Sequence, residues 1–242
     1  MLAAVAFDQP LFWALMIGWI MTVVIHEFAH GIVAYWGGDY TIRERGGLTL
    51  NPLQYIDPLT SLLMPAIFLL IGGVPLPGGA TYIRRDLLRN GAWETAMSLA
   101  GPTSNFLMCG LCLLPFHPAV EWVDVYGPLN QGGNVAIFLG AMAMLQFLAG
   151  VFNLIPVPPL DGFQALGPWM NQDLRSRLGT PPTSTMLFIG LFVVLFSLRG
   201  EFSIFQRLYG GMMRVMDWAG FDWPAMEFMR RSFNVALFGE TD

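Results

Sequence analysis

The sequence predicts an all-α polytopic membrane protein, built as a helix bundle, and three features indicate this fold class. Of the 242 residues, 55% are apolar and only 12% are charged, whereas soluble domains carry about 25% charged residues. The apolar residues are gathered in long blocks rather than in short periodic stripes. Between the blocks lie stretches rich in Gly, Pro and Arg. Long apolar blocks joined by polar connections are typical of membrane-spanning helices.

Four blocks are the predicted membrane spans, and they cover about 11–36, 93–116, 134–157 and 183–198. A helix of ~20 apolar residues crosses the hydrocarbon layer. A further block, 59–74, is shorter and has Pro65 near its middle. It therefore either re-enters the membrane from one side or spans it. Residues 1–200 are interpreted as one membrane domain.

The last part of the chain, 201–242, is predicted to be an amphipathic C-terminal tail that lies in the membrane interface. Apolar residues recur there at helical spacing, and polar residues occupy the rest of the helical wheel. The apolar set comprises Ile204, Phe205, Leu208, Met212 and Met216.

The arginines predict the orientation of the spans. Arg84, Arg85 and Arg175 lie in the connections before the second span and after the third, whereas the connection between these two spans carries Glu121 and Asp124. Basic connections face the cytoplasm. Helical spans indicate an integral, multi-pass protein of an inner or plasma membrane. No Lys occurs and no basic stripe is present, which excludes a nucleic-acid-binding surface.

A small membrane-associated β-hairpin is predicted after the first span. Leu48 and Leu50 alternate there with Gly47 and Thr49, and period-2 alternation beside glycines is typical of a short hairpin.

The first span contains His26-Glu27-Phe28-Ala29-His30, an H-E-x-x-H sequence. Its two imidazoles are four residues apart and project from one face of a helix, where they can bind one Zn²⁺. Glu27 follows the first ligand and is placed to accept a proton from water and pass it to a leaving amine. The alternative is a hydrogen-bonded His pair in a bundle, but three ionisable groups at this depth are costly to bury.

A catalytic zinc site needs a third protein ligand and leaves its fourth position open. His117 lies at the end of the second span among prolines and aromatics and is interpreted as interfacial. Asp161 follows the third span directly, after Pro156, Pro158 and Pro159. These prolines end the helix, so that an extended stretch can return the carboxylate toward the metal. Asp161 is the predicted third ligand.

Three further polar side chains lie inside apolar blocks. Asn105 could donate to an oxyanion during attack on a carbonyl, or could make a hydrogen bond between helices. Cys109 and Cys112 form a C-x-x-C pair that could be redox-active or bind metal. They are interpreted as small buried residues one helical turn apart.

Four segments resemble the site-2 protease family of intramembrane zinc metalloproteases, in its compact branch without PDZ or CBS domains. They are His26–His30, Gly46–Pro58, Ala100–Asn105 and Asn153–Gly162. The resemblance implies zinc ligation by His26, His30 and Asp161, one zinc ion per chain, and Glu27 as the general base. It also implies that Asn153 holds unwound substrate and that the hairpin lies near the substrate entrance. Relatives often have His where Tyr55 stands here.

The predicted function is therefore hydrolysis of peptide bonds in or near transmembrane segments of membrane protein substrates. Two alternatives belong to other classes. A membrane zinc or proton transporter would also use intramembrane His and carboxylate groups, but it needs several polar stations along a path. An inactive, protease-like binding protein would keep the fold, but the complete set of His26, Glu27, His30 and Asp161 argues against it.

Overall fold

The structure, a computed structural model, describes residues 9–57, 61, 78–120, 122–127, 133–197 and 204–239. Within these ranges the chain forms α-helices, short 3-10 helices and turns, and no strand occurs in them. The α-helices are α1 (Pro10–Gly37), α2 (Thr41–Glu44), α3 (Gly91–Leu113), α4 (Gly133–Asn153), α5 (Asp161–Leu166), α6 (Gln172–Gly179), α7 (Thr183–Ser197), α8 (Ile204–Trp218) and α9 (Trp223–Phe238). The described part of the molecule is all-α, as predicted.

Three of these helices are long and apolar enough to cross a membrane: α1, α3 with its extension to Phe116, and α4. They indicate a multi-pass membrane protein. The apolar helix α7 has 15 residues, fewer than the ~20 of a perpendicular span. The block at 59–74, for which re-entrant and spanning alternatives are open, lies outside the described residues except for Ser61.

Local chemistry determines where the long helices begin and end. Pro10 opens α1, and Gly38, with φ +125°, closes it by donating to carbonyls of the last turn. The Asn90 side chain caps α3 by accepting from the Trp93 amide. Helix α4 ends at Asn153, although the apolar block continues to 157, because the prolines that follow lack the amide hydrogen that a helix requires.

The bundle is layered, with α3 between α1 and α4, and with α9 along α4. One core joins the first part of α1, the last part of α3 and most of α4. Met212 and Met216 of α8 and Phe228 of α9 are buried in the same core. Cys109 and Cys112 are free thiols within it, which agrees with their interpretation as buried packing residues.

The predicted β-hairpin is absent from the described residues. Residues 45–48 form turns, and Pro52–Tyr55 forms a 3-10 helix. The backbone groups that a strand ladder would need are bonded locally. The Gly47 amide donates to the Ile42 carbonyl at 2.9 Å, and the Tyr55 hydroxyl donates to the Thr49 carbonyl at 2.6 Å. Alternation over four residues is too short to compete with these bonds.

A fully buried carboxylate lies just beyond the end of α1. Asp39 accepts hydrogen bonds from Thr41 Oγ1 at 2.5 Å, from Arg45 at 2.7 Å and from the Arg84 amide at 2.9 Å. Arg45 also donates to the Tyr82 carbonyl at 2.8 Å. Burial alone would raise the pKa of Asp39, but these hydrogen bonds outweigh it and hold the pKa below its ordinary value. We call Asp39, Thr41, Arg45 and the Arg84 amide the Asp39 clamp, which fixes the 80–84 segment to the end of α1.

Candidate metal centre

The two histidines of α1 face helix α3. His26 and His30 are 8% and 5% exposed, and because they are one turn apart their rings lie on the same side of α1. Their Nε2 atoms are 3.1 Å from each other. Both rings therefore direct the same nitrogen toward one point in the bundle.

Asp161 completes this cluster from a distant part of the chain. Its Oδ2 lies 3.2 Å from His26 Nε2, and its Oδ1 lies 3.3 Å from His30 Nε2. Among the described residues, no other group of three His, Cys, Asp or Glu side chains brings its ligand atoms as close together. The structure thus brings together the three side chains that the sequence predicts as ligands.

The second nitrogen of each ring shows how the imidazoles are protonated. His30 Nδ1 lies 2.7 Å from the Met97 carbonyl, which can only accept. His26 Nδ1 lies 2.6 Å from Asn105 Oδ1. Both Nδ1 atoms therefore carry the hydrogen, and in the neutral rings both Nε2 atoms present a lone pair. Two lone pairs and a carboxylate converge on one point, and a cation there would remove the repulsion between them.

The spacing of these atoms suits zinc. Ligand atoms about 2.0–2.2 Å from Zn²⁺ in tetrahedral geometry lie about 3.3–3.6 Å from one another. The two Nε2 atoms are 3.1 Å apart, and each has a different oxygen of Asp161 at 3.2 or 3.3 Å. Asp161 Oδ2 is buried and has no hydrogen-bond partner, which is costly unless a cation lies beside it. The residues present therefore fit a zinc ion.

Helix α5 places Asp161 by packing against the start of α3. Thr95 Oγ1 donates to the Ala165 carbonyl at 2.7 Å and accepts from Trp169 Nε1 at 2.9 Å. At Gly162 a side chain would collide with the Leu154 carbonyl, so the chain can turn back toward the two histidines only with glycine there. This collision is the physical reason for a glycine directly after Asp161.

A second connection joins α6 to the same end of α3. Glu94, in the first turn of α3, is 8% exposed and forms ion pairs with both Arg85 and Arg175. A buried carboxylate with two cationic partners is well compensated. It ties α6 and the connection before α3 to the helix that faces the ligands.

Glu27 is buried beside the cluster, 7% exposed, and the segment after residue 78 covers it. Thr81 Oγ1 donates to the Glu27 backbone carbonyl at 3.2 Å, and a side chain on Gly79 would lie 3.1 Å from Glu27 Cγ. Burial raises the pKa of the Tyr55 phenol, and the negative charge of Glu27 adds to this effect. Glu27 and Tyr55 are thus electrostatic neighbours.

The other predicted residues lie in different surroundings. Asn105 faces His26, and Asn153 is the partly buried last residue of α4. His117 lies against Phe221 and accepts from the Ala119 amide, apart from the cluster.

Gly101 packs against both imidazoles, although the sequence does not single it out as a functional residue. The four-residue spacing from Gly101 to Asn105 on α3 could have pointed to it.

Comparison with known proteins identifies relatives over most of the chain. A protein of Mycobacterium tuberculosis H37Rv named "Putative zinc metalloprotease Rip2" is 34% identical over 205 residues, which cover 80% of this chain and 73% of the relative. The Rip2 protein of Mycolicibacterium smegmatis is 36% identical over 189 residues, covering 74% and 64%. "Putative zinc metalloprotease YwhC" of Bacillus subtilis is 29% identical over 186 residues, covering 74% and 80%. No family model and no solved structure matches the chain.

Proposed function

Because this chain belongs to the site-2 protease family of zinc metalloproteases, we propose that it hydrolyses peptide bonds in or near transmembrane segments of membrane protein substrates. One observation carries the proposal. His26, His30 and Asp161 meet between helices that are long and apolar enough to cross a membrane, and Glu27 is buried next to them. A hydrolytic centre in this position acts on substrates that lie in the bilayer.

Each residue of the centre has a separate task. His26, His30 and Asp161 would hold one zinc ion per chain. When bound, the ion would supply polarisation of the scissile carbonyl and a lower pKa for the attacking water. Glu27 accepts a proton from the attacking water and passes it to the leaving amine. Asn153, at the end of α4, holds the unwound substrate backbone.

The position of the ligands along α1 determines where in the membrane the cut occurs. His30 and His26 precede Gly37 by 7 and 11 residues, or about 10 and 16 Å along a helix. Exposed Trp36 and Trp169 lie near this end, as aromatic residues do at membrane interfaces. The arginines make it the cytoplasmic end. We therefore infer cleavage on the cytoplasmic side of the bilayer midplane.

A substrate helix in lipid bonds its own backbone groups and hides its carbonyls. Cleavage requires that this helix unwind locally, so helix-breaking residues near the cut are expected to favour cleavage. A hairpin at 48–50 near the substrate entrance would offer a strand edge to the unwound segment, but those residues form no strand in the structure.

The test is zinc content and cleavage in matched variants of the detergent-purified full chain. We expect about one zinc per chain in wild type, loss of zinc in His26→Ala and in Asp161→Ala, and retention of zinc without cleavage in Glu27→Gln. His117→Ala is the control, because the third histidine of the chain lies outside the cluster and its loss should change neither readout.

Three results would contradict the proposal in different ways. Absence of zinc from the purified wild-type protein would refute the assignment of the metal site. Zinc flux through vesicles, abolished in the ligand variants, would favour a transporter. Full zinc content in wild type without cleavage of any single-span test substrate would favour a binding protein.

A further inference from the structure

Helices α1 and α3 are antiparallel where they face each other at the metal centre. Along α1 the facing residues are His26 and His30, and along α3 they are Met97 and Asn105. Met97 lies opposite His30, and Asn105 lies opposite His26. Four residues separate the two histidines, about 6 Å along a helix, whereas eight separate their partners, about 12 Å. Gly101 lies midway between these partners.

The two hydrogen-bond acceptors that α3 presents to the histidines differ, since one is a backbone carbonyl and the other is a side-chain oxygen. The group that binds His30 is the backbone carbonyl of Met97, so any side chain at 97 would provide it. The group that binds His26 is the side-chain oxygen of Asn105, and only a residue with an acceptor at that distance can provide it. Asn105 is 5% exposed, so water would replace it poorly.

Gly101 controls the space between the two pairs. A Cβ at this position would lie well inside contact distance of Nε2 of both His26 and His30, and 2.6 Å from His26 Cε1. These Nε2 atoms are the ones directed at Asp161. Any side chain at 101 would push the rings away from the metal position.

We propose that Asn105 is a positioning residue that fixes His26 as the Nδ1–H tautomer with Nε2 toward the zinc ion, and that Gly101 keeps the space in which both rings bind it. The proposal rests on the proposed zinc site. It assigns to residues 97, 101 and 105 of α3 the task of holding the two imidazoles in the orientation that binds zinc. This role uses the acceptor oxygen of Asn105, whereas donation to an oxyanion would use its amide hydrogens.

The test measures metal binding in the full chain purified in detergent and stripped with a chelator. Zinc is titrated in competition with a chromophoric chelator, and Co²⁺ is added separately so that its visible absorption reports tetrahedral geometry. Loss of an outer hydrogen bond to a zinc ligand lowers affinity about 10–100-fold. We expect this loss in Asn105→Leu, which keeps the approximate volume and removes the acceptor.

The conservative variant separates positioning from general damage. Asn105→Asp retains an oxygen for His26 Nδ1–H, so its zinc affinity should stay within about threefold of wild type or rise. This variant also keeps the proposal testable if Asn105→Leu does not fold. Loss of zinc from Asn105→Asp to the extent seen in Asn105→Leu would overturn the proposal.

Gly101 has a matched control on the same helix. Gly101→Ala should lose stoichiometric zinc and the tetrahedral cobalt bands, whereas Gly110→Ala should keep both, because nothing lies within 4 Å of a Cβ at 110. Equal zinc binding in the two variants would refute the role of Gly101.

Failure of this proposal differs from failure of the proposed function. Zinc absent from wild type and all variants would remove the metal site itself. Wild-type zinc affinity and an unchanged cobalt spectrum in Asn105→Leu, together with lost cleavage, would place Asn105 on the substrate and overturn the positioning role alone.

Discussion

Replacing Asp39 by Asn should loosen the segment that covers Glu27. The substitution keeps the shape of the side chain but removes its charge and turns one acceptor oxygen into a donor group. The carboxylate accepts from Thr41, Arg45 and the Arg84 amide, and at least one of these donors would then face an NH₂ group. A hydrogen bond to a buried charge contributes about 1.5–3 kcal/mol. We expect Asp39→Asn to destabilise the protein by about 3 kcal/mol.

A loss of about 3 kcal/mol corresponds to a decrease in Tm of about 6–12 °C for a chain of this size. The matched control is Asp86→Asn. Asp86 is also paired with an arginine, but the two side chains are 62% and 54% exposed, and solvent screens such surface pairs so that they contribute little to stability. Thermal unfolding in detergent compares the two variants.

Local opening gives a second, more specific readout. Hydrogen exchange at the amides of 80–84 should accelerate in Asp39→Asn and stay at the wild-type rate in Asp86→Asn, because the clamp fixes this segment to the end of α1. Equal Tm values for the two variants, or wild-type exchange at 80–84 in Asp39→Asn, would refute the reasoning.

The lowered pKa of Asp39 predicts that the stability of the protein depends on pH. The pKa of Asp39 is lower in the folded protein than its ordinary value, so the folded state favours the ionised form. Its contribution to stability is complete above about pH 4 and is lost as the pH falls through the lowered pKa. Wild type should therefore lose more Tm than Asp39→Asn on acidification below this pH. Parallel Tm curves would contradict the assignment.

Three other variants test the surroundings of the centre and the interpretation of the two cysteines. Thr95→Val removes the hydroxyl that holds α5 and should weaken zinc binding several-fold in a chelator competition. Gly31→Ala places a Cβ against a backbone carbonyl and should lower Tm by several degrees relative to Gly110→Ala; equal values would contradict the close approach. The double variant Cys109→Ala, Cys112→Ala should keep its full zinc content, because both thiols lie outside the cluster; metal analysis checks this.

Much of the fold follows from apolar block length, which is why the sequence predicts α1, α3 and α4 closely. Its errors arise where local hydrogen bonding decides the structure. Residues 47–50 show the period-2 alternation of a strand, yet the hydrogen bond from the Tyr55 hydroxyl and the bonds of the preceding turns hold this stretch in another conformation. Block length also overestimates the length of α4. The prolines after Asn153 are apolar and so extend the block, but they end the helix.

The clustering of His26, His30 and Asp161 can be predicted because H-E-x-x-H fixes two side chains on one helical face, and because Asp161 follows a run of prolines that ends the helix. The surroundings cannot be predicted in this way. The role of Gly101 depends on how closely α3 approaches α1, and that distance is a property of the packed bundle. The polarity of Asn105 in an apolar block leaves oxyanion donation and a hydrogen bond between helices as alternatives, and the structure shows a bond from α3 to His26 of α1.

The three side chains of the candidate metal centre are far apart in the chain, and this separation has a consequence during synthesis. His26 and His30 enter the membrane with the first helix, whereas Asp161 is made 131 residues after His30, once α3 and α4 have followed. A nascent chain thus has the two imidazoles without the Asp161 carboxylate, and it lacks the hydrogen bonds from α3 to both histidines until that helix inserts. In the proposed protease, zinc would therefore bind only after the bundle has assembled. Partly inserted chains would have no active centre in the membrane.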